Sequence, residues 1–399
     1  MCYSIPGKIT EINPPYLIVD YFGEKKRVRN DFLSVQPGDY VYAQGGFAIQ
    51  KISAAEARPV LAEWQNVFQE LKKIDLRLSE KSRNLYQIAN NLRQKYTGNS
   101  SCVHGIIEFS NYCNNDCLYC GLRRSNRQLV RYRMEKEEII SAADYAISEL
   151  GFKALVLQSG EDSGYEEEEL AAIISEIMKK KPVLIILSIG ERPLTVYQKF
   201  YEAGARGILL RFETSNPEIY ARMKPGHQLS SRLQLLGNLK AMGYILISGF
   251  LIGLPRQTEE DIIRDIKTTA QLGVEMFSFG PFIPHPDTPL KEEKNPPLKM
   301  ILETIARTRI LYPDSRILVT TATESLAEDA AQRALLSGAN SLMINVTPLK
   351  YHSWYYLYPG RAGNQQKISE RISRVLQLLK SLGRVPSDVG LTWSDRELL

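Results

Sequence analysis

The chain has 399 residues, 44% of them hydrophobic and 24% charged, with a formal net charge of +5. That balance describes a globular protein with room for one large domain and a small one. No apolar stretch is long enough for a membrane helix, no dense Lys/Arg block marks a nucleic-acid surface, and an odd number of cysteines after an opening Met1-Cys2-Tyr3 without an apolar leader points to the reducing cytoplasm rather than to disulfides.

Residues 1–57 carry short β-rich runs at Lys8 to Ile12, Leu17 to Tyr21, Lys26 to Val28 and Tyr40 to Ala43. Turn signals at Pro14-Pro15, Gly23 and Pro37-Gly38 separate them, and the pattern predicts a small β-barrel. From Ala54 to about Lys95 the sequence turns helical, with Leu61, Trp64, Phe68 and Leu71 at three- and four-residue steps and a second apolar stripe at Leu85, Ile88 and Leu92. The spacing predicts a helical linker over 58–100. Over 101–399 the chain alternates apolar runs with amphipathic stretches. The runs are Ile106 to Phe109, Ala154 to Leu157, Leu184 to Leu187, Gly207 to Leu210, Leu246 to Ile252, Met276 to Phe279, Ile317 to Val319 and Ser341 to Val346. Eight buried strands, each followed by a helix, predict an α/β fold of the (β/α)8 TIM-barrel type. In such a barrel the chemistry sits in loops at the C-terminal ends of the strands, and the unusual polar residues of this chain fall there.

The first of those loops holds Cys113, Cys117 and Cys120. Three thiolates at this spacing can hold three irons of a [4Fe-4S] cube and leave the fourth open to a ligand that is not protein. A structural zinc knot, or an electron-transfer cluster, wants a fourth thiolate, and the remaining cysteines are the distant Cys2 and the preceding Cys102. After the second run comes Gln158-Ser159-Gly160-Glu161-Asp162. After the fourth, Arg211 and Glu213 alternate with Leu210 and Phe212, so both face the same side of the strand end. His104, His227 and His352 show no metal-ligand spacing with one another, and His285 lies between two prolines, where a rigid loop role stands beside a catalytic one.

The set C-x3-C-x-aromatic-C, completed by Tyr119, resembles the signature of the radical S-adenosylmethionine (SAM) superfamily. The resemblance implies that SAM chelates the open iron and is cleaved by one electron to a 5′-deoxyadenosyl radical. It implies SAM contacts at Tyr119, at Ser159, Gly160 and Glu161, and at Arg211, Glu213, Arg232 and Met276. Over roughly residues 80 to 390 the match narrows. Ile106-Ile107-Glu108-Phe109-Ser110-Asn111, Tyr119 to Arg124, Gln158 to Asp162, Gly280 to Pro289 and Leu357-Tyr358-Pro359-Gly360 resemble the [FeFe]-hydrogenase maturase family HydE, while methylornithine synthase and biotin synthase share the fold and the cysteines. The HydE resemblance implies that Ser188 lines a substrate cavity, that Thr320 and Thr321 bind a small anionic group, and that Tyr351 and Met276 close the pocket. The substrate it implies is a small sulfur- or iron-bound amino-acid-like molecule, with an electron donor such as ferredoxin or flavodoxin. The related families imply instead a carbon-skeleton mutase or sulfur-insertion reaction on an amino acid, and an assembly scaffold is a third reading. Unlike some HydE sequences, this one has no cysteine after Cys120, so a second cluster is not expected.

The start of the chain resembles another family. Met1-Cys2-Tyr3-Ser4-Ile5-Pro6-Gly7-Lys8-Ile9, Val35 to Val41 and Gly46-Phe47-Ala48-Ile49 are similar to the HypC/HupF hydrogenase chaperones. That resemblance implies Cys2 as a candidate iron carrier, and other hydrogenase maturation proteins or a hydrogenase subunit as partners. Where that family has a histidine, this chain has Gln44.

Overall fold

The computed structural model describes residues 4–79, 84–363 and 366–392. Five antiparallel-wound strands, Pro6–Asn13, Tyr16–Tyr21, Glu24–Arg29, Tyr40–Gln44 and Phe47–Ile52, close through a pairing of the third with the fifth. They form the small barrel that the β-rich runs predict, with one strand more than those runs show. Phe47–Ile52 reads as polar at Gln50 and Lys51, yet Phe47, Ala48 and Ile49 are buried. The interior holds Ile9, Leu17, Val19, Val28 and Val41, sealed on one side by Phe68 and Leu71 of the helix Ala54–Ser79. Val385 and Val389 complete that core, and Leu391–Thr392 pairs with Glu24–Arg29, so the last described residues belong to the first barrel.

The next helix, Leu85–Thr97, departs from its apolar stripe. Ile88 is 42% exposed, while Ala89, Asn90, Arg93 and Thr97 face inward. The buried Arg93 guanidinium makes the difference: it donates to both carboxylate oxygens of Asp75 at 2.8 and 2.7 Å, joining the two helices.

Eight parallel strands then close a barrel in chain order: Cys102–Ser110, Ala154–Ser159, Leu184–Ser188, Gly207–Leu209, Ile245–Ser248, Met276–Phe277, Arg316–Val319 and Ser341–Asn345. Two of the predicted runs are cut short. At Gly249 the chain passes so close to the neighbouring strand that a Cβ would lie 2.3 Å from the Ser278 carbonyl oxygen. Beyond it, Leu251–Ile252 and Gly280–Pro281 leave the barrel to form a two-stranded annex.

The two-residue period of a strand sorts the side chains. Val103, Ile107, Leu155, Leu157, Ile185 and Leu187 point out, into the large core shared with the helices. Cys102, Ile106, Ala154, Val156, Leu184 and Ile186 point into the barrel. Phe47 and Ile49 of the small barrel join this interior cluster from the N-terminal ends of the strands, so the small barrel plugs the floor of the large one. Gln44 takes part: it is 2% exposed, and its amide donates to Cys102 Sγ at 3.3 Å and to the Val103 carbonyl at 3.1 Å. Cys2 lies outside the described residues.

Candidate functional site: the mouth of the large barrel

Following the inward-facing positions upward, the apolar interior gives way at the last turn of the strands to Glu108, Gln158, Ser188 and Asn345. They form a belt. Gln158 Nε2 donates to Glu108 at 3.3 Å, Ser188 Oγ to Gln158 at 3.3 Å and Asn345 Nδ2 to Glu108 at 2.9 Å. A cavity of about 270 Å3 opens at this level, bordered by Gln158 and Ser188 and reaching down to Ile106, Leu318 and Met343 of the apolar interior.

One wall is the cysteine loop. Cys113, Cys117, Tyr119 and Cys120 all border the cavity, and none of the four described cysteines is in a disulfide. Burial pushes all three thiols up, Cys117 to about 11, with Lys224 pulling Cys113 and Cys117 the other way. Desolvation opposes a lone thiolate here, and a bound cationic centre would offset it. The donor set fits a cluster that spans the three sulfurs.

The second wall is the loop after Ala154–Ser159. The Glu161 N–H reaches Cys113 Sγ at 3.4 Å, and Asn115 Nδ2 donates to Glu161 Oε2 at 2.9 Å. Gly160 is packed so tightly that a Cβ would lie 2.1 Å from the Tyr112 carbonyl oxygen and 2.8 Å from Cys113 Cβ. Ser159, Gly160 and Glu161 face the cavity, whereas Asp162 turns away to accept from Ser110 Oγ at 2.6 Å and from Arg133.

The third wall carries Arg211, Glu213 and Arg232, which all line the cavity. Glu213 has φ 67°, a left-handed conformation that costs a non-glycine residue free energy and clusters at ligand sites. Its Oε2 is buried without a hydrogen-bond partner, with Arg211 Nε at 3.6 Å. Arg232 is 3% exposed and ion-pairs with Glu191, and its Nη2 is likewise left without an acceptor. A ligand bearing an ammonium and a carboxylate would satisfy both orphans. SAM, with an amine and an α-carboxylate, fits this description.

The fourth side holds Ser188, Thr320 and Thr321 under a roof made by residues 355–361. Tyr358 Oη shares a hydrogen bond with Thr321 Oγ1 at 2.8 Å, and Arg361 is tied to Glu108 by a buried ion pair. The motif reading gave no site role to Lys224, Tyr355, Arg361 or Tyr358, the last of these inside a matching motif, yet all four border the cavity. An aromatic or basic residue in a loop carries no periodic signal, and only the apposition of the roof to Thr321 and Glu108 shows them.

Two expected residues lie elsewhere. Met276 opens its strand, so it sits among Ile247, Leu318 and Met343 in the apolar interior rather than at the strand's C-terminal end. Tyr351 belongs to the 3-10 turn Leu349–Tyr351 and faces outward: its ring stacks on Tyr132 at 4.6 Å and its hydroxyl donates to Glu138 at 2.7 Å.

The chain was compared with known proteins. The radical SAM superfamily model matches residues 107–269, the HupF/HypC family model residues 1–64, and the biotin and thiamin synthesis associated domain residues 278–384. The [FeFe] hydrogenase maturase subunit HydE of Thermotoga maritima is 42% identical over 313 residues, 78% of this chain and 88% of that protein. The 3-methylornithine synthase of Methanosarcina acetivorans is 27% identical over 319 residues, 79% of this chain and 88% of that one. Among solved structures, methylornithine synthase (PylB) superposes with a TM-score of 0.68 at 24% identity, covering 80% of this chain and 94% of its own. HydG, a maturase of the [FeFe]-hydrogenase, gives 0.63 at 18%, covering 79% and 74%; both show the same fold. With the cysteine-lined cavity at the barrel mouth, these matches place the chain among radical SAM enzymes, in the family of the [FeFe] hydrogenase maturase HydE, with a HupF/HypC-family segment at its N-terminal end.

Proposed function

We propose that the chain acts in the maturation of a hydrogenase metal site, on a small sulfur- or iron-bound amino-acid-like substrate held at the barrel mouth, in the cytoplasm. The observation that carries this reading is the convergence on one cavity of three free thiols and the orphaned polar atoms of Glu213 and Arg232. In this reading Cys113, Cys117 and Cys120 hold the cluster. Tyr119, Ser159, Gly160, Glu161, Arg211, Glu213 and Arg232 hold SAM. Ser188, Thr320 and Thr321, under the roof of Tyr355, Tyr358 and Arg361, receive the substrate.

The bound cluster and SAM supply one electron and a 5′-deoxyadenosyl radical. The protein binds, orients and excludes. The left-handed Glu213 aims its carboxylate into the cavity, where it neutralises an ammonium. Arg232, held by Glu191, offers Nη2 to a carboxylate. The apolar floor, plugged by Phe47 and Ile49, keeps water from entering below. The three parts of the chain in this reading are residues 1–57, 58–100 and 101–399.

Anaerobic reconstitution followed by EPR with and without SAM tests the reading. The reduced signal shifts on adding SAM, and Cys113→Ala abolishes both the signal and 5′-deoxyadenosine formation; an unchanged spectrum in the wild type would sink it. In the same reading Cys2 carries an iron unit, so Cys2→Ser lowers iron bound in excess of the cluster and leaves the EPR signal intact.

A further inference from the structure

Four basic side chains border the cavity at the barrel mouth: Arg211, Lys224, Arg232 and Arg361. Three of them face a carboxylate. Arg211 lies 3.6 Å from Glu213, Arg232 is paired with Glu191, and Arg361 is paired with Glu108. Lys224 is only 4% exposed, yet no carboxylate among the described residues lies within ion-pair distance of its ammonium. Its Nζ sits 5.8 Å from the centre of the Tyr220 ring. A buried cation without a counterion is costly, so a negative group that meets it belongs in the cavity it borders.

The fold holds this lysine against the cysteine loop. The helix Pro217–Met223 starts at Asn216, whose side chain accepts from the Glu218 and Ile219 N–H groups. It ends at Lys224, whose N–H donates to the Tyr220 carbonyl at 2.9 Å. The Met223 carbonyl, left without a partner inside the helix, accepts from the Leu118 N–H at 2.9 Å. Ile219 and Met223 also belong to an apolar cluster against which Leu118 and Tyr119 pack. Lys224 therefore follows a residue whose backbone is bonded to the residue after Cys117, and its charge acts on Cys113 and Cys117. The orphaned atoms that suit SAM are on Glu213 and Arg232; Lys224 is tied to the thiols instead.

We propose that Lys224 sets the reduction potential of the cysteine-bound cluster, its buried ammonium stabilising the reduced form over the oxidised one. In the reduction an external one-electron reductant gives up an electron and the cluster gains it. No bond or proton changes hands, so the site becomes more negative by one charge. A fixed cation beside the sulfurs favours that change, and net charge is among the levers that set the potential of an iron–sulfur cluster. The inference rests on the three cysteines being cluster ligands.

The test uses the reconstituted full chain, first without SAM. A redox titration with dithionite and mediators, followed by EPR, gives the midpoint potential of the clusters that are loaded, so incomplete loading does not alter the reading. Lys224→Met shifts the reduction equilibrium about tenfold toward the oxidised form, which is about 59 mV to lower potential for one electron. Lys224→Gln acts in the same direction, and Lys224→Arg, which keeps the charge, restores the wild-type potential. SAM still shifts the EPR signal in all three variants, because Glu213 and Arg232 are intact. An unchanged midpoint in both neutral variants overturns the proposal. A shift that appears only after SAM is added overturns it as well, since the lysine then meets SAM rather than the cluster. So does a failure of both neutral variants to take up iron while Lys224→Arg does, since the charge then serves cluster assembly. A wild type with no reducible EPR signal overturns the cluster reading and this inference with it, whereas the comparisons among variants overturn this inference alone.

Discussion

Glu108 is a carboxylate with no exposure, in the middle of an apolar run, and it gathers donors from three directions: Gln158, Asn345 and Arg361. A buried ion is tolerated only when its lone pairs are met, and removing it leaves Arg361 buried and uncompensated. Glu108→Ala therefore lowers stability by about 3 kcal/mol in urea unfolding and frees the roof, raising the KM for substrate more than that for SAM. The letter Glu108 was readable in the sequence; its partner, 253 positions away, was not. The opposite holds for Arg211 and Glu213, whose alternation around Phe212 is local and correctly puts both on the cavity side. Met276 and Tyr351 mislead for one reason. A motif gives a residue's place in a segment, whereas its height along the strand or its side of a turn depends on where that segment starts.

Strands were legible as elements because eight runs are continuously buried, and continuous apolar runs need no partner to be recognised. The helix Leu85–Thr97 was legible as a helix but not in its orientation, since the pair Arg93–Asp75 overrides the stripe through Ile88. Contact between elements also sets the geometry of the thiols. The loop after Ala154–Ser159 touches the cysteine loop at Gly160, and Gly160→Ala must push the two apart against backbone. The expected result is a lower iron content after reconstitution, measured by iron assay, with a far-UV circular dichroism spectrum like that of the wild type.

At the level of the whole molecule, the two barrels share a core, which was invisible in a sequence that reads as two patterns. Phe47, 2% exposed, fills the floor beneath Ile106 and Ile186. Phe47→Ala costs about 3–5 kcal/mol, and chemical unfolding still runs as one transition, because neither barrel keeps a closed interior without the other. The floor also carries a pH signature. Burial pushes the His104 imidazole down to about 4 from 6.5, so the unfolded chain takes up this proton first. The fold keeps the full contribution above pH 6.5 and loses it as pH falls through 4, by about 3 kcal/mol. His104→Gln flattens stability against pH across that window, as read by urea titrations from pH 7 to 4.

The pairing of Leu391–Thr392 with Glu24–Arg29 has its meaning in the order of synthesis. The five strands of the small barrel leave the ribosome before the large barrel does, yet Val385 and Val389 of its core and the strand on its edge are translated after it. Closing a loop of that length adds little to the entropy cost but makes the contact late. The small barrel is thus finished only after the large one has been made, and a nascent chain stopped short of residue 385 carries an open small barrel throughout the assembly of the large one.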